Sequence, residues 1–192
     1  MFSLKGPRYA VNRRVLSEAG DSIKRFLDSG VTELGAPPRA PALAVRAVQE
    51  IRRSRFRQAF LNCCPRLSTD TPCATSVEVR HDSFNTPDFL ALLRKFSIPV
   101  VFAEHDKYPA IADIVGDFVY ARLQKGDDKL KAGYPPKALD AWAARAKTWA
   151  QGGEPKDLPR IDKTSAKKEP RDVFLYFIHE AKIRAPAAAM AC

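Results

Sequence analysis

The sequence lacks the features that mark membrane, secreted and repeat proteins. It has no apolar run near the roughly 20 residues that a membrane-spanning helix needs. Residues 1–6 contain no long apolar segment of the signal-peptide kind. No repeat of roughly 20 to 50 residues is visible, which argues against a solenoid or propeller. We therefore expect a cytoplasmic protein without a membrane partner.

The glycine-containing motifs of common enzyme classes are also missing. The nine glycines form neither the G-x-G-x-x-G pattern of dinucleotide-binding sheets nor the P-loop of nucleoside triphosphatases. The G-x-S-x-G turn of serine hydrolases is absent too. No motif therefore supports nucleotide binding or a serine nucleophile, and the cofactor, if there is one, is unknown.

The four cysteines are poorly placed for chemistry. Cys63 and Cys64 are adjacent, Cys73 lies nine residues later, and Cys192 is the last residue of the sequence. A zinc site needs spaced pairs such as C-x2-C, and disulfides are rare in the cytoplasm. We interpret the thiols as incidental and expect no metal site from them.

The sequence does contain a segment of different composition, residues 36–76. Its 41 residues include seven Arg but no Lys, Gly, Tyr or Trp, whereas the remainder has 14 Lys and 11 Arg. Half of the net charge of +10 comes from this segment. The basic run 52–57 (RRSRFR) has two interpretations, a nucleic-acid-binding patch or a solvated helix face, and we favour the solvated face.

Hydrophobic periodicity predicts alternating strands and helices. This order is typical of a parallel α/β sheet, either open and doubly wound or part of a barrel. We also expect a polar surface loop at 154–170. Strands are predicted at 2–5, 77–81, 98–103, 118–123 and 173–178, and the continuous apolar run at 98–103 is typical of a strand covered on both faces. Helices are predicted at 21–27, 87–96 (capped by Asn85 or Thr86, with Phe89, Leu92, Leu93 and Phe96 as the buried face), 135–151 (closed by Gly152-Gly153) and 185–191. The pattern at 42–61 also fits a helix, although a poor core element.

Polar side chains recur where the predicted strands end. In a parallel barrel, active groups collect at these carboxyl ends. Such groups suit an anionic substrate or general acid–base chemistry, whereas two His and two carboxylates could instead bind a divalent metal. The candidate catalytic residues are Glu78, Arg80, His81 and His179, and the candidate ligand-binding residues are Lys5 and Arg122.

Several of these polar residues also have a purely structural interpretation. Glu78 and Arg80, on one face of a strand, could form a paired interior cluster. His81 could be a solvent-exposed strand end, and residues 104–106 could be only a polar turn. Trp142 and Trp149 are seven residues apart, and we interpret them as helix-packing residues.

Four blocks of the sequence resemble the YecE-like family, domain of unknown function 72. They are FSLKGPR at 2–8, VEVRH at 77–81, FVYARL at 118–123, and VFLYF at 173–177 followed by Ala185-Pro186. The resemblance covers residues 1–35 and 77–191. It implies a TIM-barrel-like α/β fold with a cleft at the carboxyl ends of the strands, and no established biochemical activity.

The chain departs from the family pattern in three places. Members of the family begin well before the position of Met1, so we expect a partial barrel that lacks its N-terminal strands. Ile178-His179 stands where the family usually has paired Asn. The family strand that resembles L-G-P-x-L-x-Q-x-P should follow Leu34-Gly35, but the residues from Ala36 onward do not match it.

A shifted reading frame would explain residues 36–76. Codons that encode Asn62-Cys63-Cys64-Pro65 can read Glu-Leu-Leu-Pro one frame away, and a GC-rich gene read out of frame yields excess Arg, Ala, Pro and Cys. We therefore expect a truncated, frame-disrupted and non-functional member of the family. Two alternatives stay open. One is a barrel enzyme or binding protein acting on a polar or anionic small molecule or a metal, and the other is a nucleic-acid-binding module using residues 52–57.

The frame-shift hypothesis predicts a specific result at the nucleotide level. Sequencing of the gene should find compensating insertions or deletions near the codons of Ala36 and Ser76. Restoring the frame between them should produce a segment richer in bulky aliphatic residues. An intact frame throughout, with no such changes relative to the genes of family members, would contradict the hypothesis.

Overall fold

The computed structural model describes residues 20–29, 43–47, 75–162, 164–178 and 183–192. The chain forms two compact units, Met1–Ser83 and Phe84–Cys192. The predicted strand at 2–5 lies outside the described residues. In chain order the described elements are α1 (Gly20–Leu27), β1 (Leu43–Ala47), β2 (Thr75–Val79), a 3-10 turn (Asp82–Phe84), α2 (Pro87–Lys95), β3 (Val101–Glu104), β4 (Phe118–Leu123), α3 (Pro136–Ala150), β5 (Asp172–Phe177) and α4 (Ala185–Ala191).

The first unit contains α1 and a parallel pair of strands. Strands β1 and β2 pair residue for residue, with Val45 opposite Val77. The helix predicted at 42–61 is therefore wrong at 43–47, and its remaining residues lie outside the described ones. Ala and Arg favour a helix locally, but five consecutive residues here pair with a neighbouring strand, and such tertiary pairing overrides a weak propensity.

The second unit contains a three-stranded parallel sheet in the order β3-β4-β5. At its carboxyl end Arg122 of β4 is the register partner of Ala103 on β3 and of Tyr176 on β5. The predicted α/β class with parallel strands and helices is confirmed. The described strands form two parallel sheets, β1-β2 in the first unit and β3-β4-β5 in the second.

The start of α2 follows from its sequence. Thr86 is the N-cap, and its hydroxyl accepts a hydrogen bond from the backbone N–H of Phe89 at 3.4 Å. Pro87 occupies the first helical position, where its missing N–H costs nothing. The predicted cap is confirmed, but the buried face is rotated from the predicted one. Phe89, Leu90 and Leu93 are buried, whereas the prediction named Phe89, Leu92, Leu93 and Phe96.

The core of the second unit lies between α3 and the sheet. Trp142 and Trp149 are 2% and 1% exposed, and their rings lie 5.7 and 6.2 Å from that of Phe102. Both tryptophans are therefore helix-packing residues, as predicted. On the other face of β3, Val101 and Ala103 are buried as well. This burial on both faces confirms the interpretation of the apolar run at 98–103.

The connector between α3 and β5 is a loop, as predicted, but it is anchored to the body of the unit. The buried carboxylate of Asp113 accepts hydrogen bonds from the backbone N–H groups of Ile161 and Asp162 at 2.7 and 3.0 Å. The N–H of Ala112 donates to the carbonyl of Pro159 at 3.0 Å. These bonds hold the first half of the connector against the segment that precedes β4.

The C-terminus of α3 ends on two glycines. The N–H of Gly152 donates to the Trp149 carbonyl at 3.0 Å, and that of Gly153 donates to the Thr148 carbonyl at 2.8 Å. This pair of bonds is the Schellman motif, which requires a left-handed residue. Gly152 supplies it with φ of +84°, which confirms the predicted role of Gly152-Gly153 in closing the helix.

We predict that Gly152→Ala destabilises the protein by about 2 to 4 kcal/mol, because left-handed strain adds to overpacking. A Cβ at this position would lie 2.6 Å from the backbone nitrogen of Glu169, which cannot move as a flexible side chain does. Denaturant unfolding followed by circular dichroism measures the change. The control Gln151→Ala, at the exposed neighbouring position, should stay within about 0.5 kcal/mol of the parent. Equal stabilities of the two variants would contradict the prediction.

Candidate functional site

The predicted site residues fall into three groups. Lys5, His179 and the basic run 52–57 lie outside the described residues. Glu78, Arg80 and His81 lie at the carboxyl end of β2 or just beyond it, in the first unit, and Arg122 lies near the end of β4 in the second.

Glu78 and Arg80 form an ion pair. One carboxylate oxygen of Glu78 accepts from Nη2 and Nε of Arg80 at 2.8 and 3.0 Å. The two side chains are only 2% and 8% exposed. Removal of one partner from such a buried pair costs about 3 to 5 kcal/mol, because the other charge is left without compensation. The paired interior interpretation is confirmed, and a catalytic role for the pair stays a prediction.

His81 is exposed and bonded locally. Its Nδ1 accepts a hydrogen bond from the backbone N–H of Ser83 at 3.2 Å and lies 2.9 Å from the Ser83 hydroxyl. An accepting Nδ1 leaves the proton of the neutral ring on Nε2. The solvent-exposed interpretation of His81 is confirmed, and its predicted catalytic role is not tested by this geometry.

Arg122 lies on the face of the sheet opposite α3. Val119, Ala121 and Leu123 belong to the core beneath the helix, so the alternation of a strand directs Tyr120 and Arg122 to the other side. The Arg122 side chain is half-buried. Arg122 is the second-last residue of β4, and the active groups of parallel barrels lie at this carboxyl end of the strands.

Aromatic side chains form the layers beside Arg122 on this face. Tyr120 of β4 stacks on Tyr176 of β5, with ring centroids 4.9 Å apart and an angle of 20° between the planes. One layer further from the carboxyl end, Phe118 meets Phe174 edge to face at 5.6 Å. The charge of Arg122 therefore lies next to packed aromatic side chains, and β4 itself carries no other charged residue.

The backbone hydrogen bonds between neighbouring strands continue one residue beyond β4. The N–H of Gln124 donates to the Glu104 carbonyl at 3.2 Å, and that of Ile178 donates to the Leu123 carbonyl at 2.8 Å. Gln124 therefore retains the strand alternation and falls on the same side as Arg122. Gln124 was not among the predicted site residues, although its position two residues after Arg122 could have indicated it.

His105 stands at the same edge of the sheet, directly after β3. Its ring stacks on that of Tyr108 with centroids 3.9 Å apart. Its Nδ1 accepts a hydrogen bond from the Lys107 N–H at 3.0 Å, so the neutral ring carries its proton on Nε2. His105 is thus held as a hydrogen-bond donor at this edge.

The Glu104 carboxylate has a structural role on the helix side. One oxygen accepts from the Tyr134 hydroxyl at 2.9 Å, and the other accepts from the indole Nε1 of Trp142 at 3.2 Å. Burial, and then the charge of Glu104, raise the pKa of the Tyr134 phenol above its ordinary value. Both oxygens of Glu104 are engaged by core donors, so this carboxylate fixes α3 on the sheet.

Asp106 forms an ion pair at this edge. Its carboxylate lies 2.7 Å from the ammonium of Lys125. The hydrogen bond to Lys125 lowers the pKa of Asp106, and the same bond raises the pKa of Lys125. Both side chains are exposed, so the pair adds little stability. The polar-turn interpretation of residues 104–106 is therefore confirmed for Asp106 but incomplete for Glu104.

The described part of the chain holds no group of three or more His, Cys, Asp or Glu side chains arranged to bind a metal ion. No helix in it is long and apolar enough to cross a membrane.

The Glu104–Tyr134 contact predicts an alkaline titration. The folded chain holds the Tyr134 proton more tightly than the unfolded chain does, so this contribution to stability is present below pH 10 and is lost as pH rises through the raised pKa. Absorbance of phenolate near 295 nm in the parent minus Tyr134→Phe should therefore develop above pH 10. Glu104→Gln should move that signal to lower pH. A Tyr134 signal that titrates at pH 10 or below would contradict the assignment.

Solved structures share this fold at low sequence identity. A DUF72 family protein from Thermotoga maritima matches with a TM-score of 0.60 and 14% identity, over 98% of this chain and 72% of that chain. A DUF72 family protein from Enterococcus faecalis matches in two structures. Their TM-scores are 0.55 and 0.52 at 13% and 12% identity, over 92% and 98% of this chain and 65% and 92% of theirs.

The sequence itself matches no curated protein. It does match a family model over its whole length, residues 1–192, and that model is described as Protein of unknown function DUF72. This is the YecE-like family that the blocks at 2–8, 77–81, 118–123 and 173–177 resemble. The chain therefore belongs to the DUF72 family.

Proposed function

We propose that this chain binds an anionic, oxygen-bearing small molecule at the carboxyl end of β4, with Arg122 as the charged contact. The observation that supports this proposal is the half-buried side chain of Arg122 on the sheet face opposite α3. Arg122 is the register partner of Ala103 and Tyr176. A guanidinium offers several N–H donors in a planar fork that matches carboxylate or phosphate oxygens.

The surroundings of Arg122 support this proposal because they restrict its stem. Ala103 is fully buried, and Tyr120 is 5% exposed. Tyr120 is in turn stacked on Tyr176. A guanidinium on such a support samples fewer positions than one on an exposed strand, and pre-organisation of this kind improves affinity.

The polar groups at the same edge favour an anion over a cation. The neutral His105 ring carries its proton on Nε2, as a donor. The carboxylate of Glu104 is engaged by Tyr134 and Trp142, and that of Asp106 by Lys125. Both carboxylates of this edge are thus already occupied by donors within the chain, so they are poorly suited to bind a cation there.

A partial TIM-barrel-like arrangement is part of the proposal. Its support is the parallel order of β3, β4 and β5 with α3 packed on one face, together with the fold likeness to DUF72 structures. In such folds the carboxyl ends of the strands carry the site. Glu78, Arg80 and His81 in the first unit stay candidate catalytic residues, and Lys5 and His179 stay predictions outside the described residues.

The frame disruption of residues 36–76 and the non-functional status of the chain also stay predictions. Strand β1 lies within this segment and pairs with β2, so part of it takes up a regular structure. The gene sequence tests the predicted frame disruption. Ligand binding through Arg122 would show that the second unit retains a function.

Thermal unfolding in a panel of anions tests the proposal. Phosphate, sulfate, malate and glycerol 3-phosphate serve as probes, and at least one should raise the midpoint of the parent protein in a saturable way. Arg122→Gln should weaken that ligand about 10-fold or more, the effect of losing a charged hydrogen bond. No saturable shift with any probe, or an unchanged affinity in Arg122→Gln, would refute the proposal.

Arg145→Gln is the matched control. Arg145 belongs to α3, across the sheet from the proposed site, and its guanidinium lies over the Trp142 ring at 4.3 Å and pairs with Asp157 at 2.6 Å. The substitution deletes the same charge as Arg122→Gln and, because it removes the contacts with Trp142 and Asp157, can lower the midpoint of the unliganded protein. The ligand-induced shift should nevertheless match that of the parent.

A further inference from the structure

The side-chain amide of Gln124 presents a buried donor without an acceptor. Its Nε2 is shielded from solvent, and no hydrogen-bond partner for it occurs in the described part of the chain. Burial of a polar group without a partner is unfavourable by about 1 to 3 kcal/mol. Groups of this kind are uncommon in native structures, and a binding role is one physical reason for retaining them.

The position of this amide connects it with Arg122. The two residues are neighbours on one side of β4, separated by roughly 7 Å along the strand. The backbone of Gln124 is fixed by its bond to the Glu104 carbonyl. Gln124 is therefore one layer nearer than Arg122 to the carboxyl end of the strand, on the same face of the sheet.

We infer that Gln124 is a specificity-determining residue of this site and donates a hydrogen bond from Nε2 to a second oxygen of the ligand. The inference rests on the proposed function, because Arg122 must bind the anionic group. It names the ligand class more narrowly as a carboxylate or phosphate that also carries a neutral acceptor oxygen, such as a hydroxyl, a few bonds away. A monocarboxylate or an alkyl phosphate without such an oxygen would satisfy only Arg122.

Two pairs of probes isolate this second oxygen. Lactate and propionate differ by one hydroxyl, as do 2-hydroxyethyl phosphate and ethyl phosphate. Isothermal titration of the parent should give about 5-fold tighter binding of the hydroxylated member in at least one pair, as expected for one net hydrogen bond. Gln124→Met should abolish that preference and leave the affinity for the other member unchanged.

Stability measurements separate this role from a structural one. Gln124→Met removes an unmet donor, so its unliganded midpoint should equal or exceed that of the parent. Gln124→Glu keeps the shape but introduces a negative charge, and it should weaken both members of a pair about 10-fold or more. Retention of the hydroxyl preference in Gln124→Met, or unchanged anion affinity in Gln124→Glu, would overturn the inference. Failure of the parent to bind any probe would instead overturn the proposed function on which it rests.

Discussion

The contact of Trp142 and Trp149 with Phe102 decides which face of the sheet is available for polar chemistry. It buries one side of β3 beneath α3. Because β3 and β4 pair residue for residue, the same side of β4 also faces the helix. Since side chains alternate, Arg122 and Gln124 then lie on the opposite side. A slip of the register by one residue would direct the guanidinium into the aromatic core, which its charge forbids.

Two polar residues at the same edge illustrate how this constraint gives side chains different surroundings. Glu104 lies on the helix side, where Tyr134 and Trp142 donate to both of its oxygens. Arg122 lies on the other side, beside stacked tyrosines. Position at the end of a parallel strand is therefore not enough to indicate a site, and the side of the sheet has to be known as well.

The sequence was a good guide where the determinants are local. Thr86 and Pro87 mark the start of α2, and Gly152 marks the end of α3, because each residue acts on the turn next to it. Strand β1 was missed because its conformation depends on pairing with β2, about thirty residues later. The unmet donor of Gln124 was missed for the same reason: burial of one atom depends on distant parts of the chain and leaves no pattern in the sequence.

The anchoring of the connector by Asp113 affects how the chain tolerates change. Ile161 and Asp162 are bonded to its buried carboxylate, and Arg171, just before β5, donates its N–H to the Ala150 carbonyl at 3.2 Å. Residues 164–168 between these two anchors are largely exposed. A protease that cuts there would leave β5 in place, since both new ends stay bonded to the folded unit. Insertions among relatives should collect in the same stretch for the same reason.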